Sequence, residues 1–143
     1  MANARVDPYK NFNFLVEIDG ITIAAFSDCT GLESEVNVIE YREGGDRSIR
    51  KLAGLPKFGD ITLKRGITKS AELQTWHREI LNGVSDRRNV AIILLDDERT
   101  EVVRWIVFHA FPRKWEGPHL HASGNEVAIE TLVLCCEGIE RSS

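Results

Sequence analysis

The sequence predicts a mainly β protein with one α-helix. Apolar and polar residues alternate with period two in several segments, as they do in strands that have one face in a hydrophobic core. A single segment places its apolar residues at helical spacing instead. The chain has 143 residues, of which 43% are hydrophobic and 28% are charged. These values are typical of one soluble globular domain, so residues 1–143 are predicted to form a single domain.

The N-terminal segment is predicted to form a β-hairpin. Within residues 11–18, alternation places four apolar side chains on one face, namely Phe12, Phe14, Val16 and Ile18. Asp19-Gly20 follows as a two-residue turn, because glycine tolerates the positive φ that tight hairpin turns require. Residues 21–26 then return as the second strand.

Two central strands are predicted in residues 34–40 and 58–65. Their alternation gives one apolar face, which is expected to pack in the core and consists of Val36, Val38, Ile61 and Leu63. The opposite face is polar apart from Ile39. Its polar residues are Glu35, Asn37, Asp60, Thr62 and Lys64.

The connection between these strands, residues 42–57, is unusually long. Connections above roughly 12–15 residues are uncommon unless they are functional or disordered. This one contains glycines at positions 44, 45 and 54 and a set of charged residues, namely Arg42, Glu43, Asp46, Arg47, Arg50 and Lys51. Two interpretations fit this composition: an arm that forms ion pairs with a neighbouring subunit, or a mobile surface loop.

The helix is predicted to follow Ser70. The Ser70 hydroxyl is a suitable N-cap, and Glu72 suits the positive end of the helix dipole. Gly83 is predicted to end the helix. The apolar stripe that would dock on the sheet consists of Leu73, Trp76, Ile80 and Leu81.

Three further strands are predicted after the helix. Residues 89–95 are nearly all apolar, which predicts burial on both faces, and an acidic turn follows at residues 96–98. In residues 101–111, one face is predicted to carry Val103, Trp105, Val107 and Phe111, and the other Val102, Ile106 and Phe108. The last strand is predicted at residues 125–137, after a loop that contains Gly117, Pro118, His119, His121 and Gly124.

Charge and composition argue against several classes of protein. With 22 acidic and 18 basic residues the net charge is −4, whereas nucleic-acid binders usually carry a basic excess. No apolar run approaches the roughly 20 residues of a membrane-spanning helix. The polar segment from Met1 to Asp7 lacks the apolar core of a signal peptide, which predicts assembly in the cytoplasm. Three cysteines, an odd number, do not suit a disulfide framework.

Motifs for catalysis are not found in the sequence. It contains neither a Gly-x-Ser-x-Gly nucleophile elbow nor a phosphate-binding loop. His119 and His121 have the spacing of two metal ligands, but they lie in a predicted loop and have no third ligand at a recognised distance. The sequence therefore predicts no catalytic residue, no metal and no cofactor.

Four motifs follow one another between Phe26 and Gly66. They read FSDCTGL at 26–32, EVNVIEYREGG at 35–45, KLAG at 51–54 and ITLKRG at 61–66. In this order they resemble the inner-tube proteins of contractile phage tails and of related bacterial contractile injection systems. The first strand and turn at 9–20 and the helix at 73–82 extend the resemblance to nearly the whole chain.

The resemblance implies a two-sheet β-sandwich or distorted barrel flanked by a helix. It also implies six subunits in a ring, with rings stacked into a tube inside a contractile sheath and attached to baseplate and spike proteins. In this family the channel conducts DNA or protein cargo, without a reaction, a cofactor or sequence-specific nucleic-acid binding. Phage tails and injection systems share these features, so the motifs do not distinguish between them.

The resemblance, together with the alternation pattern, also suggests functional surfaces. The polar faces of the central strands are expected to include channel-lining positions, namely Glu35, Asn37, Asp60, Thr62 and Lys64. The arm is expected to contact a neighbouring ring through its charged residues, Arg42, Glu43, Asp46, Arg47, Arg50 and Lys51. The acidic net charge suits a conduit, because negative walls would not trap DNA or acidic cargo.

Two other functions compete with the tube. The first is a monomeric small β-barrel that binds an apolar ligand in its mouth, with Trp105, Phe108 and Phe111 as the lining. The second, which ranks last, is a metal-dependent enzyme that uses His119 and His121. Rings or filaments in electron micrographs would discriminate, because they are expected of the tube protein alone.

Overall fold

The computed structural model describes residues 7–19, 21–24 and 26–142. These residues contain ten strands and one helix, α1, at Glu72–Leu81. The strands are β1 (Phe14–Ile18), β2 (Ile21–Ala24), β3 (Asp28–Thr30), β4 (Ser34–Tyr41), β5 (Arg50–Phe58), β6 (Ile61–Gly66), β7 (Arg88–Leu95), β8 (Glu101–Glu116), β9 (Ile129–Cys135) and β10 (Gly138–Arg141).

Eight of the strands form one sheet in the order β2-β1-β7-β8-β9-β6-β3, with β10 also paired to β8. The 16-residue strand β8 joins two parts of this sheet. Its N-terminal part pairs with β7 and β10, and its C-terminal part pairs with β9. We call the part that contains β1, β2, β7, β10 and the N-terminal part of β8 the β7 half-sheet. The part that contains β3, β6, β9 and the C-terminal part of β8 is the β6 half-sheet.

The core lies between the two half-sheets and the helix. Side chains from both half-sheets form one buried cluster, which includes Val16, Ile92 and Val107 from the β7 half-sheet and Ile61, Leu63, Leu132 and Leu134 from the β6 half-sheet. Leu73 and Trp76 of α1 complete it. The predicted fold class, mainly β with one helix in a two-sheet arrangement, is confirmed. The strand path of the described residues runs from β2 to β3 without closing into a barrel.

The N-terminal hairpin is confirmed by the antiparallel pairing of β1 with β2. Val16 and Ile18 are buried as predicted, but Phe12 precedes the strand and is exposed. Gly20 of the predicted turn lies outside the described residues. Strand β7 is buried on both faces as predicted, since Ile92 belongs to the main core and Ile93 to a second cluster with Ala91 and Leu95.

The predicted helix is confirmed, but its N-cap is not Ser70. The cap position is Ala71, and no side chain caps the helix. The Ser70 carbonyl instead accepts a hydrogen bond from Nη2 of Arg65, at 3.3 Å. Leu73 and Trp76 are buried and Ile80 is partly buried, whereas Leu81, predicted in the same stripe, is exposed.

The helix ends at Leu81, and Gly83 follows as the predicted stop. Gly83 has a φ of +85°, which L-residues with a side chain rarely adopt. Its N–H donates to Ile80 O at 3.1 Å, and the N–H of Val84 donates to Glu79 O at 2.9 Å. These two bonds form the Schellman motif that satisfies the last carbonyl groups of a helix.

Strand β8 differs from its predicted alternation. Val103 and Val107 are buried as expected, but His109 has a φ of +53° and interrupts the period of two. Ala110 and Pro112 therefore point into the core, and the prediction that Phe111 shares the face of Val107 is wrong. The N–H of His109 donates to Oδ1 of Asn89 at 3.1 Å, which satisfies the backbone at this irregularity.

The last predicted strand, residues 125–137, is too long. Strand β9 begins at Ile129, and a separate strand, β10, which the sequence did not predict, follows at Gly138. Both lie along the same side of β8, because Cys135 is opposite Phe111 and Gly138 is opposite Phe108.

Candidate assembly surfaces

Strands β4 and β5 form a two-stranded antiparallel hairpin that pairs with no other described strand. We call residues 34–58 the arm. All eight residues of β4 are exposed, and β5 is exposed except at Gly54 and Phe58. Neither hydrophobic cluster contains an arm residue. The arm therefore projects from the body and contributes little to the core of its own chain.

Two predictions made from the sequence of the arm are wrong. Residues 42–57 are not one long irregular connection, because β5 begins at Arg50 and only residues 42–49 separate the strands. Val36 and Val38 do not pack in the core, since they are 52% and 58% exposed. Alternation shows that a strand has two different sides, but it does not show whether the apolar side is covered by the same chain.

Both faces of the arm carry exposed apolar side chains. Partners directly opposite each other in an antiparallel pair share a face. Val36 is opposite Pro56 and Val38 is opposite Ala53, which makes one apolar face. The other face has Ile39 opposite Leu52, which are 50% and 49% exposed. Leu55, beside an irregularity in the pairing, is 77% exposed.

Two glycines hold the base of the arm against the body. Gly31 has a φ of +97°, and a Cβ there would lie 1.8 Å from Asp60 O. A Cβ on Gly59 would lie 2.4 Å from the side chain of Glu33. The N–H of Gly59 donates to Glu33 O at 3.0 Å, so the two segments that enter and leave the arm are in direct contact. Any side chain at Gly31 would force them apart.

The charged residues predicted for the arm lie mainly at its tip. Nε of Arg50 is 3.2 Å from Oδ2 of Asp46, and the same oxygen accepts from the N–H of Glu43. Near the base, Nζ of Lys57 is 3.0 Å from Oε1 of Glu35. No ion pair joins Arg42, Arg47 or Lys51 to another residue in the described part of the chain. The tip therefore presents unpaired positive charge to solvent.

The five candidate channel-lining residues fall on two different surfaces. Glu35 and Asn37 belong to the arm, whereas Thr62 and Lys64 lie on β6. On β6, Ile61 and Leu63 are buried, so Thr62 and Lys64 point away from the core. Asp60, directly before β6, forms an ion pair with Arg113.

The outward face of the β6 half-sheet carries polar side chains of balanced charge, beside the half-buried Ile129, Val133 and Cys135 of β9. The strand register places a row of polar residues across β3, β6, β9 and β8, namely Asp28, Lys64, Thr131 and Glu116. In the neighbouring row Thr30 is opposite Thr62. Nζ of Lys114 is 2.6 Å from Oε1 of Glu116, and this contact lowers the pKa of Glu116. Acidic and basic side chains alternate, so the face has no strong net charge.

A buried ion pair was not predicted from the sequence. Arg65 and Glu130 lie opposite each other on β6 and β9 and are each 5% exposed. Nε of Arg65 is 3.4 Å from Oε1 of Glu130, without hydrogen-bond geometry, and the guanidinium lies 5.9 Å from the ring centroid of Phe26. Arg65 follows Ile61 and Leu63 on the inward side of its strand. The odd-numbered positions of β6 alternate inward, so the sequence pattern does indicate that Arg65 is buried. Charged residues are rarely buried, however, and Arg65 was therefore not predicted in the core.

The described residues contain no group of three or more side chains arranged to hold a metal ion. The rings of His119 and His121 are 6.2 Å apart on an exposed loop. The three cysteines are free, and burial raises the pKa of Cys29 to about 11, which keeps its thiol protonated. Among the described residues, no helix has the length and apolar character needed to cross a membrane.

The family model of the T4-like virus tail tube protein gp19 matches residues 10–140. No curated protein matches the chain. A chain in the cryo-EM structure of the anti-feeding prophage (AFP) baseplate, 6-fold symmetrised, is 28% identical with a TM-score of 0.86, and the match covers 96% of this chain and 97% of that one.

A chain of an extracellular contractile injection system, from the PVC sheath-tube complex in the extended state, is 25% identical with a TM-score of 0.83. That match covers 95% of this chain and 92% of the other. Hcp1 from Flavobacterium johnsoniae is 15% identical with a TM-score of 0.58 over 90% of this chain and 94% of that one, so it shares the fold alone. Because the gp19 model spans nearly the whole sequence, the chain belongs to the T4-like virus tail tube protein gp19 family and is a structural subunit of an inner tube.

Proposed function

We propose that the chain assembles into six-fold rings that stack into the hollow inner tube of a contractile tail or injection particle. The observation that carries the proposal is the arm, whose two apolar faces are both exposed. Large exposed apolar surfaces on soluble proteins usually mark interaction sites. Burial of apolar surface contributes roughly 25 cal/mol of stabilising free energy per Å². Contacts with other subunits would therefore stabilise the arm. The similar chain in the 6-fold symmetrised AFP baseplate supports the ring order.

The partners follow from the same comparison. The similar PVC chain comes from a sheath-tube complex, so we propose that a sheath surrounds this tube and that baseplate and spike proteins hold its end. The subunit assembles in the cytoplasm and then becomes part of a tail or particle. It catalyses no reaction and uses no cofactor. The channel conducts DNA or protein cargo without sequence-specific nucleic-acid binding.

Assembly is tested with purified protein, alone and with baseplate components. We expect negative-stain electron microscopy to show six-fold rings or tubes, and light scattering to give a mass near six chains or above. Each chain has a mass of 16.1 kDa, so a ring is well separated from a monomer. A strict monomer at high concentration, with no rings after baseplate components are added, would contradict the proposal.

We further propose that the outward face of the β6 half-sheet lines the channel. Thr62 and Lys64 lie on it, Asp60 lies at its end, and Glu35 and Asn37 continue the lining onto the base of the arm. The balanced charge of this face supports the assignment, because such a wall binds neither polyanions nor polycations strongly. Proposed contacts of Arg42, Glu43, Asp46, Arg47, Arg50 and Lys51 with a neighbouring ring lie on the arm, outside the channel.

The channel lining is tested by labelling single cysteine variants in assembled tubes. The background replaces Cys29, Cys135 and Cys136 with alanine. At Thr62→Cys and Lys64→Cys we expect a bulky maleimide to react at least tenfold more slowly than a small one, because it must enter the tube through its ends. Glu126→Cys, on an exposed loop, serves as the control at which the two reagents react equally. Equal rates at all three positions would place Thr62 and Lys64 outside the channel.

A further inference from the structure

The loop between β8 and β9, residues 117–128, carries a pair of histidines that the tube assignment does not use. His119 and His121 are both exposed and are separated by the exposed Leu120. Their ring centroids are 6.2 Å apart, and the ring planes are nearly perpendicular, at 83°. The spacing in the sequence alone did not predict a metal site, because it did not show that the two rings lie side by side.

The distance between the two rings suits a shared metal ion. A bond from zinc to an imidazole nitrogen is about 2.0–2.1 Å long, which places the ion roughly 3.2 Å from the centroid of each ring. Two rings that bind one ion therefore have centroids at most about 6.4 Å apart, and about 5.3 Å apart at the tetrahedral angle. The observed 6.2 Å lies inside this limit. Exposed side chains rotate within picoseconds to nanoseconds, so the rings can approach each other without a change in the fold.

The two rings line an open cavity that has room for an ion and its water ligands. The cavity has a volume of about 440 Å³ and is also lined by Asn125 and Glu126. The carboxylate of Glu126 supplies negative charge, which favours a cation in the cavity. No group of three side chains in the described part of the chain is arranged to hold a metal. Two imidazoles are therefore the protein ligands, and water completes the coordination.

The turn after His121 holds the ring of this residue in place. The N–H of Gly124 donates to His121 O at 3.0 Å. A Cβ on Gly124 would lie 3.5 Å from Cδ2 of His121, so the ring packs directly against the turn. Nε2 of His121 is 3.1 Å from Oγ of Ser123, within hydrogen-bond distance, which leaves Nδ1 for a metal. Histidines that bind metals usually make a hydrogen bond of this kind through their other ring nitrogen.

We infer that His119 and His121 together bind a divalent transition-metal ion such as zinc. Imidazole suits zinc, copper and nickel, whereas magnesium and calcium prefer oxygen ligands. The ion orders the loop and takes part in no reaction. The inference goes beyond the proposed function, because both ligands belong to one chain and binding does not require a tube.

Calorimetric titration of the full chain with Zn²⁺ alone tests the site. The protein carries no histidine tag, and its three cysteines are replaced with alanine so that thiolates do not contribute. We expect one ion per chain. His119→Ala and His121→Ala are each expected to weaken binding at least tenfold, because even groups that only orient a metal ligand change affinity about 10–100-fold. Both residues are exposed on a loop, so these variants are expected to fold normally.

His109→Asn is the matched control, since it removes an exposed imidazole from another part of the chain. Asparagine is among the residues that tolerate the positive φ of this position. We expect this variant to bind zinc with the affinity of the cysteine-free background. Absence of zinc binding by the background, or unchanged affinity in both His119→Ala and His121→Ala, would overturn the inference. Neither result would bear on the tube assignment.

Hydrogen exchange gives an independent readout of the loop itself. Saturation with Zn²⁺ is expected to slow amide exchange within residues 119–124 at least threefold, because a bound ion fixes two side chains of this segment. The double variant His119→Ala/His121→Ala is expected to show no change on addition of Zn²⁺. Zinc binding that leaves exchange in this loop unchanged would place the ion elsewhere and would also overturn the inference.

Discussion

A variant in which a short Gly-Ser turn replaces residues 36–56 is expected to fold normally and to build no tubes. Glu35 and Lys57 are direct partners in the hairpin, so a two-residue turn spans the gap between them. The glycine contact between Gly59 and Glu33 remains. No arm residue belongs to the core, and loop-closure entropy changes slowly with length. We therefore expect the free energy of unfolding to change by less than about 1 kcal/mol.

The measurement combines circular dichroism and denaturant unfolding of the shortened chain with electron microscopy of its assemblies. Single rings are compatible with the variant, but long tubes of normal spacing are not. Such tubes would make the arm a surface hairpin without a role in elongation. Loss of folding would instead show that the arm stabilises its own body, which contradicts the separation of arm and core.

A milder variant provides the comparison. Arg47→Glu/Arg50→Glu retains the apolar faces of the arm and changes only the charge of its tip. Exposed ion pairs contribute roughly 0.2–1 kcal/mol each and weaken as salt screens them. Tube elongation by this variant is expected to be reduced and to depend on salt concentration. The elongation defect of the variant without the arm is expected to be the same at all salt concentrations.

The sequence predicted the elements of the body well because their burial is local to the chain. The buried face of β6 is evident from its period-two alternation, and the burial of β7 from its apolar composition. The apolar stripe of α1 is evident from the spacing of Leu73 and Trp76. Irregular backbone was missed. The left-handed conformation of His109 shifts the alternation of β8 by one residue. Histidine adopts positive φ more often than most residues, but one histidine in an apolar run does not predict it.

The arm shows a different limit of sequence reasoning. Period-two alternation in residues 34–40 correctly predicted a strand but wrongly assigned Val36 and Val38 to the chain's own core. Hydrophobic patterning reports that a face is covered somewhere, and in a subunit of an assembly the cover can be another copy. Strand β5 was not predicted, because residues 42–57 contain glycines, charged residues and Pro56. Proline is tolerated in β5 because the strand has an exposed edge.

The sequence identified residues of the candidate surfaces but not which of them lie next to each other in the sheet. Thr62 and Lys64 were correctly placed on the polar side of a strand, but their neighbours Asp28, Thr131 and Glu116 come from three distant segments. Cross-strand register depends on turns and on the fold of the whole sheet, so the row could not be read from local patterns.

The buried pair of Arg65 and Glu130 carries the second large prediction, which concerns the body rather than the arm. Removing one partner leaves a charge inside a nearly dry core, and such changes typically cost 3–5 kcal/mol. We expect Arg65→Met and Glu130→Leu each to lower the free energy of unfolding by about that amount. Nη2 of Arg65 also donates to the carbonyl of Ser70, so Arg65→Met additionally loosens the segment before α1.

The double variant Arg65→Met/Glu130→Leu decides how much of this cost belongs to the unpaired charge. A buried pair replaced by apolar side chains of similar volume is often neutral or stabilising, so we expect the double variant to be more stable than either single variant. Arg87 and Glu137, which are 2.7 Å apart and largely exposed, supply the matched control. Removing that pair should change stability by no more than roughly 1 kcal/mol. Equally small effects at Arg65 and Glu130 would mean that water reaches their site, and additive losses in the double variant would mean that each side chain stabilises the core through contacts of its own.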